Sequence, residues 1–325
     1  MPYDALSDVL RAVRLKGAVF FDVDAGAPWA AEAPAACVVG PSIMPGVDHV
    51  IEYHVVAHGE CYATLLAGRG DVVRLKAGDV VAFPQGDTHV VSSHPGMRAE
   101  PDIEAHCAPG ATGGLPVPIR IGEGDERTHV ICGFLGCDVR PFNPLISAMP
   151  RMIHLPGKGG EAWMKRFLDF ARLESEQKRA GGASMLARLG EIMFIDLVRR
   201  HIEGLDADQP TWLAGLKDRQ IGLALSLLHE APGDDWTIER LARHCGMSRS
   251  TLSERFTHFV GRPPMQYLTL WRMQLAAEML LGGEDALAQI AAHVGYQSEA
   301  AFSRAFKRTV GAAPGEWRDS RLMAP

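Results

Sequence analysis

The chain of 325 residues predicts a multidomain α+β protein, with a β-rich barrel or sandwich first, then a helical hairpin, then an all-α domain carrying two helix-turn-helix units. Three observations predict it. Short runs rich in β-branched and aromatic residues, separated by Gly-containing turns, fill much of the first 150 residues. Two apolar stripes at helical spacing follow, split by Gly181-Gly182. Then one pattern occurs twice, with matched positions 252/302, 256/306, 261/311 and 264/314 offset by 50.

Composition sets the broad class. Hydrophobic residues make up 47% of the chain and charged residues 22%, as in an ordinary globular protein. The start, Met1-Pro2-Tyr3-Asp4, lacks a basic segment before an apolar run, and no stretch reaches the length of a membrane helix. Six cysteines in a chain this long fit reduced thiols better than a disulfide framework, so a cytoplasmic protein is expected.

The strands are expected at Val50 to Val56, Cys61 to Leu66, Asp71 to Leu75, Asp79 to Phe83 and Thr88 to Val91. Such short, closely spaced strands argue for a sandwich or barrel, placed at residues 1–155. Within it, His94 to Arg127 is rich in Gly and Pro and reads as a long irregular insertion. The hairpin, residues 156–204, carries Trp163, Met164, Phe167, Leu168 and Ala171 on one stripe. Met185, Leu189, Ile192, Met193 and Leu197 form the other. Its surplus apolar surface serves either a second copy of the chain or packing on the barrel. A polar linker spans 205–212, and the all-α domain, 213–325, begins with a helix near Leu213 to His229.

The repeat itself occupies 236–259 and 287–309. Ile238, Leu241, Ala242 and Cys245 fall at i, i+3, i+4 and i+7, as do Leu287, Ile290, Ala291 and Val294. Gly246 and Gly295 supply a left-handed residue that ends each helix. Ser248 and Ser298 then cap a second helix. That helix buries Leu252, Phe256 and Phe259 in copy one, and Phe302 and Phe306 in copy two. Its other side is polar: Arg249, Ser250, Ser253 and Glu254 in the first copy, Glu299, Ser303, Arg304, Lys307 and Arg308 in the second. A packed back and a hydrogen-bonding front are what a major-groove reader requires. Pro264 to Leu281 has no breaker, and eighteen helical residues span about 27 Å, against about 34 Å between groove sites on one DNA face.

These residues carry a resemblance. From about Leu216 to Arg318 the chain resembles the DNA-binding domain of AraC/XylS-type transcription regulators. The matching elements are Leu241-Ala242, Gly246-Met247-Ser248, Leu252, Arg255-Phe256, Gly261, Pro264, Ile290-Ala291, Val294-Gly295-Tyr296, Ser298, Phe302, Phe306-Lys307, Gly311 and Pro314. The resemblance implies base contacts from Ser250, Ser253 and Glu254 in one helix and from Ala300 and Arg304 in the other. Ala300 offers only a methyl and Glu254 is acidic, so Arg304 is expected to dominate, with Arg249, Lys307 and Arg308 near phosphates. Residues 214–325 carry a formal balance of +1 against −7 for residues 1–213, so docked helices rather than bulk charge must supply affinity.

In the first domain, Gly78-Asp79-Val80-Val81-Ala82-Phe83-Pro84-Gln85-Gly86-Asp87-Thr88-His89 resembles the second motif of cupins. The first motif departs from the pattern. A metal-binding cupin shows His-x-His and a later Glu, whereas here the strand reads Glu52-Tyr53-His54, with His58 and Glu60 beyond. A cupin-like β-barrel is therefore expected, and an enzymatic metal centre is not. Thr128 to Leu145 resembles the close of the cupin sensor in one branch of AraC-type regulators.

His54, Cys61, His89, Cys132 and Cys137 are the candidate effector or sensor residues. Zinc could be held by His89, His106, Cys107 and Cys137, or the thiols could be oxidised. The plainer alternative makes Cys61 and Cys132 small core residues. The expected function is sequence-specific transcription regulation, without enzymatic activity, answering a small-molecule or thiol/metal signal at the cupin-like domain. A cupin-type metal-dependent enzyme with a C-terminal interaction module is the alternative. Double-stranded DNA is the expected partner, with RNA polymerase, an effector and a second copy of the chain as further candidates.

Overall fold

The computed structural model describes residues 4–67, 71–103, 117–157, 161–177, 179–283 and 285–322. The chain divides into two units. One comprises Leu15–Cys137 and Pro150–His201; the other comprises Met1–Arg14, Asp138–Met149 and Ile202–Pro325.

The first unit begins with a strand that the sequence reading did not place. β1 (Lys16–Gly26) buries Phe21, Val23 and Ala25 and leaves Asp22 and Asp24 partly exposed, the period-two signature of a strand with one covered face. β2 (Ala30–Ala33) and α2 (Ala36–Ile43) follow, α1 (Ala5–Ala12) belonging to the other unit. Then come β3 (His49–His58), β4 (Glu60–Leu65), β5 (Val72–Lys76), β6 (Val80–Phe83) and β7 (His89–Ser92), close to the expected runs. β8 (Val117–Ile121), β9 (Arg127–Cys137) and β10 (Ile153–Leu155) complete two sheets.

The larger sheet has the order β10-β6-β3-β9-β1-β8 and the smaller β2-β7-β4-β5. Phe21, Val23, Val81, Phe83, Val130 and Phe134 of the first sheet meet Cys61, Ala63, Leu75 and Val91 of the second in one core. The segment expected as an irregular insertion is corrected at its end. There β8 runs parallel to β1, with Phe21 opposite Val117 and Ala25 opposite Ile121.

α4 (Glu161–Gln177) and α5 (Gly182–Gly204) stand where two helices were expected, with Gly181 at positive φ between them. The expected second stripe splits: Met193 and Leu197 are buried, while Met185 and Ile192 are about half exposed, at 48% and 49%. Buried Phe167 and Ala171 keep the first stripe in part, the side chains of Trp163 and Met164 lying outside the described residues. Glu191 of α5 accepts a 3.0 Å hydrogen bond from the backbone N–H of Gly17, which ties α5 to the start of β1.

The second unit is helical. α1 (Ala5–Ala12) and α3 (Pro144–Ala148) join α6 (Trp212–Lys217), α7 (Arg219–Glu230), α8 (Ile238–His244), α9 (Arg249–Val260), α10 (Pro264–Gly282), α11 (Leu287–His293), α12 (Glu299–Val310) and α13 (Pro314–Leu322). The single helix expected near Leu213 to His229 is two, because Asp218 adopts an extended conformation. Its carboxylate then accepts from the N–H groups of Gln220 and Ile221, so the break becomes the cap of α7.

Residues 1–14 and 138–149, read from sequence as part of the first domain, belong with these helices. Buried Gln274 of α10 fastens both: its Nε2 donates to the Ala12 carbonyl at 2.8 Å, and its Oε1 accepts from the Phe142 N–H at 3.0 Å. Arg14 and Asp138 make a two-point ion pair at 2.6 and 2.9 Å.

Candidate DNA interface and sensor cavity

Both repeat copies fold as helix-turn-helix units, and the turn chemistry is the one their residues dictate. Gly246 and Gly295 sit at φ +64° and +80°, where a side chain would be strained. Ser248 accepts from the Thr251 N–H at 3.1 Å and Ser298 from the Ala301 N–H at 3.2 Å, capping α9 and α12. Behind α9, fully buried Leu252 and Phe256 hold the helix down. Behind α12, Phe302 and Phe306 pack with Ile290, Val294, Leu280 and Trp317.

The fronts are open. Arg249, Ser250, Glu254, Glu299, Ala300, Arg304, Lys307 and Arg308 are exposed, and Ser253 and Ser303 half-buried. Their engagement differs. Arg249 faces Glu239 at 3.2 Å, and Ser250 shares a 3.0 Å hydrogen bond with the cap hydroxyl of Ser248. Arg304, Lys307 and Arg308 form no ion pair among the described residues. By contrast, Arg255 is bound to Asp218 and Gln220, and Arg272 donates to the carbonyls of Pro232 and Asp234 at 2.7 and 2.8 Å. Those two arginines belong to the scaffold. α12 therefore presents three uncommitted cations on one front.

A cavity of about 310 Å³ lies in the β unit, lined by Phe21, Val23, Trp29, Val91, Ile119 and Phe134, with Glu52, His54, His89 and Cys132 among its polar groups. Its size and mostly apolar wall suit a small ligand. Glu52 and His54 share a face of β3, two residues apart. Across the ladder His54 stands opposite Cys132 of β9. His89 opens β7 in the other sheet, delivered by the motif read from sequence: β6, a turn through Pro84 and Gly86, then the strand. His54 Nε2 and His89 Nε2 lie 2.7 Å apart, and His89 Nε2 lies 3.8 Å from Glu52 Oε2. Burial raises the Glu52 carboxyl to about 8.

The structure thus gathers His54, His89 and Cys132 and adds Glu52, which the sequence reading passed over. Cys137 does not join them. It ends β9 opposite His49, buried, several residues along the strand from Cys132, so the metal set expected with it is not assembled there. His106 and Cys107 lie outside the described residues. Cys61 is fully buried in the core, and burial pushes its thiol up to about 12. Burial also raises the Cys132 thiol well above its ordinary range. A thiol held protonated is a poor nucleophile, which favours the packing role for both over oxidant chemistry. The signal for Glu52 was its spacing, since alternate strand residues face the same way.

Residues 4–203 match the family described as Cupin, and residues 241–320 the one described as Helix-turn-helix domain. A putative AraC-like transcription regulator of Streptomyces lividans is 31% identical over 98% of this chain and 99% of its own length. One from Streptomyces antibioticus is 31% identical over 97% and 98%. The HTH-type transcriptional regulator AlkR of Acinetobacter baylyi is 29% identical over 97% and 99%. Two helix-turn-helix units on one helical scaffold, joined to a cupin domain, define a DNA-binding transcription regulator rather than an enzyme. The chain belongs to the AraC-like family of these regulators. No helix among the described residues is long and apolar enough to cross a membrane.

Proposed function

We propose that the chain reads an operator with α9 and α12 in successive major grooves and adjusts that reading to an effector taken up in the cupin cavity. The observation that carries the DNA half is the uncommitted front of α12. We assign Arg304 to a base edge, and Lys307 and Arg308, one turn further on, to phosphates. The front of α9 is short-chained and contains Glu254, so it contributes fit and position more than charge. α10 sets the spacing: nineteen residues make a strut of about 28 Å between the two units.

The sensing half rests on the cavity and on chain continuity. β1 and β9 supply Phe21, Val23, Val130, Cys132 and Phe134 to its wall. β1 starts at Lys16, just after the segment 1–14, and β9 ends at Cys137, just before the segment 138–149. Both segments are fastened within the helical unit by Gln274. A ligand that shifts either strand therefore pulls on residues embedded beside α10. Half-exposed Met185 and Ile192, seven residues apart on one face of α5, are the surface we assign to a second copy of the chain.

The test is selection of binding sites from random double-stranded DNA, followed by gel shift on the enriched sequence. Wild type should enrich a defined site, and Arg304→Ala should lose specific affinity. Failure to enrich any sequence would contradict the reading, as would an R304A variant with unaltered affinity and specificity.

A further inference from the structure

α9 and α12 are built to one plan, so the places where they differ are informative. Each is twelve residues long, each is capped by a serine hydroxyl, and each ends on a glycine in the left-handed region. The sixth residue is Glu254 in α9 and Arg304 in α12, both exposed. Matched buried residues flank them, Leu252 and Phe256 in one helix, Phe302 and Phe306 in the other. We infer that Glu254 fixes the sequence choice of α9 by exclusion, accepting the N4 amino group of a cytosine and rejecting the guanine edge that suits Arg304 at the matched place. The inference rests on the reading of α9 and α12 as the two groove readers, and names what the first of them selects.

The charge order of α9 is the less stable one for a helix taken alone. A helix favours anions in its first turn and cations in its last. α12 follows that rule, with Glu299 in its first turn and Lys307 and Arg308 in its last. α9 departs from it at two matched places: Arg249 stands where α12 has Glu299, and Glu254 where α12 has Arg304. Arg249 is offset by Glu239 of α8 at 3.2 Å. Glu254 has no such counterpart and forms no ion pair among the described residues. One turn before it stands Ser250, and one turn after it His258, whose Nε2 is bonded to the Asp208 carbonyl at 3.0 Å. Arg255, next in the chain, is held by Asp218 and Gln220. The Glu254 carboxylate thus serves neither its own helix nor a neighbour, and is left to what docks on the front of α9.

On the major-groove edge guanine offers two acceptors, N7 and O6, thymine offers O4 beside a methyl, and adenine sets an N7 acceptor beside its N6 donor. Cytosine alone offers a donor with no acceptor on the same edge. A carboxylate has only acceptors, so it meets a partner at cytosine and like partial charge at guanine and thymine. Among phosphates and stripped of water, a mismatched carboxylate is a desolvated charge left unpaired. That penalty, more than the one bond gained, supplies the discrimination. Arg304 has the complementary chemistry, five donors and no acceptor, which suits guanine. Exchanging the two half-sites would set Glu254 on guanine and Arg304 on cytosine, so the pair also fixes which helix takes which half of the operator.

The experiment uses the full-length protein and the site it enriches from random double-stranded DNA. The half-site of α12 is the one whose protection from hydroxyl radical Arg304→Ala removes, and the other half belongs to α9. In the α9 half the wild type is expected to demand a C·G pair at one position, the three other pairs there lowering affinity by roughly 5- to 150-fold. Glu254→Ala should erase the preference at that position alone. Glu254→Gln should turn it to A·T, since an amide is bidentate to adenine N6 and N7, and Glu254→Arg should turn it to G·C. Each variant should keep protection of the α12 half, which certifies its fold. A wild-type site with no C·G demand in the α9 half would overturn the inference, as would a demand that all three variants retain, and in both cases docking of α9 and α12 would still stand. Failure of the wild type to enrich any sequence would overturn the docking itself, and the inference with it.

Discussion

Arg304 and Lys307 stand one helical turn fraction apart on α12, yet their removal should read out differently. A bidentate arginine on a base edge discriminates by about 1–3 kcal/mol, so Arg304→Ala should lower specific operator affinity by roughly 5- to 150-fold and relax one base position. Lys307→Ala should weaken all sequences alike and reduce the slope of log affinity against log salt by about 1. Fluorescence anisotropy over a salt series distinguishes the two. Gly246 and Gly295 make a second paired test. Both have positive φ, but a methyl on Gly246 would meet nothing within 4 Å, whereas one on Gly295 would stand 2.6 Å from the Gly233 carbonyl. Gly246→Ala should therefore cost about 1–2 kcal/mol, and Gly295→Ala about 1–3 kcal/mol more, in urea unfolding. Equal losses would mean that the Gly233 approach does not constrain the second turn.

At the scale of elements, the two readers share a plan but not their caps. Thr237 caps α8 through its hydroxyl, whereas Ala286 before α11 has none, and there only the Gln289 side chain accepts from the Ala286 N–H, at 3.1 Å. Ala286→Ser should thus stabilise the unit by about 0.5–1 kcal/mol, seen as a higher urea midpoint with unaltered slope. The repeat was legible in sequence because Gly, Ser and Phe each do one local job at a fixed offset. β1 was not, although Phe21, Val23 and Ala25 alternate with aspartates, and neither was β8, which ends a Gly- and Pro-rich stretch. A lone short alternation competes poorly with breaker residues when nothing local says which strand will pair with it. Glu52 was passed over for a related reason. The strand placed it on the face of His54, but its nearness to His89 depends on two sheets meeting. The grouping of residues 1–14 and 138–149 with the helices is likewise beyond periodicity, which marks an apolar face without naming the core that receives it.

For the molecule as a whole, the helical unit carries a built-in pH dependence. Buried His229 stacks on Trp271 at 4.0 Å, and burial pushes it down to about 3. Tyr267 accepts from Trp212 Nε1 at 3.2 Å and shares a 2.7 Å hydrogen bond with His229 Nε2, a bond the neutral ring can make. The unfolded chain binds this proton near pH 6.5 and the folded one does not, so stability is full above that value. It should fall by up to about 1.4 kcal/mol per unit as pH drops toward 3. Urea unfolding at pH 7 and pH 5 should show that loss, and His229→Phe should remove its share of the slope. Two readers and one strut also make a claim about length along DNA. Hydroxyl-radical footprinting on a site enriched from random DNA measures it. Two protected stretches on one face, about 10 base pairs apart, are expected, with Arg304→Ala weakening only one of them. A single protected stretch, or two on opposite faces, would contradict successive-groove reading by α9 and α12.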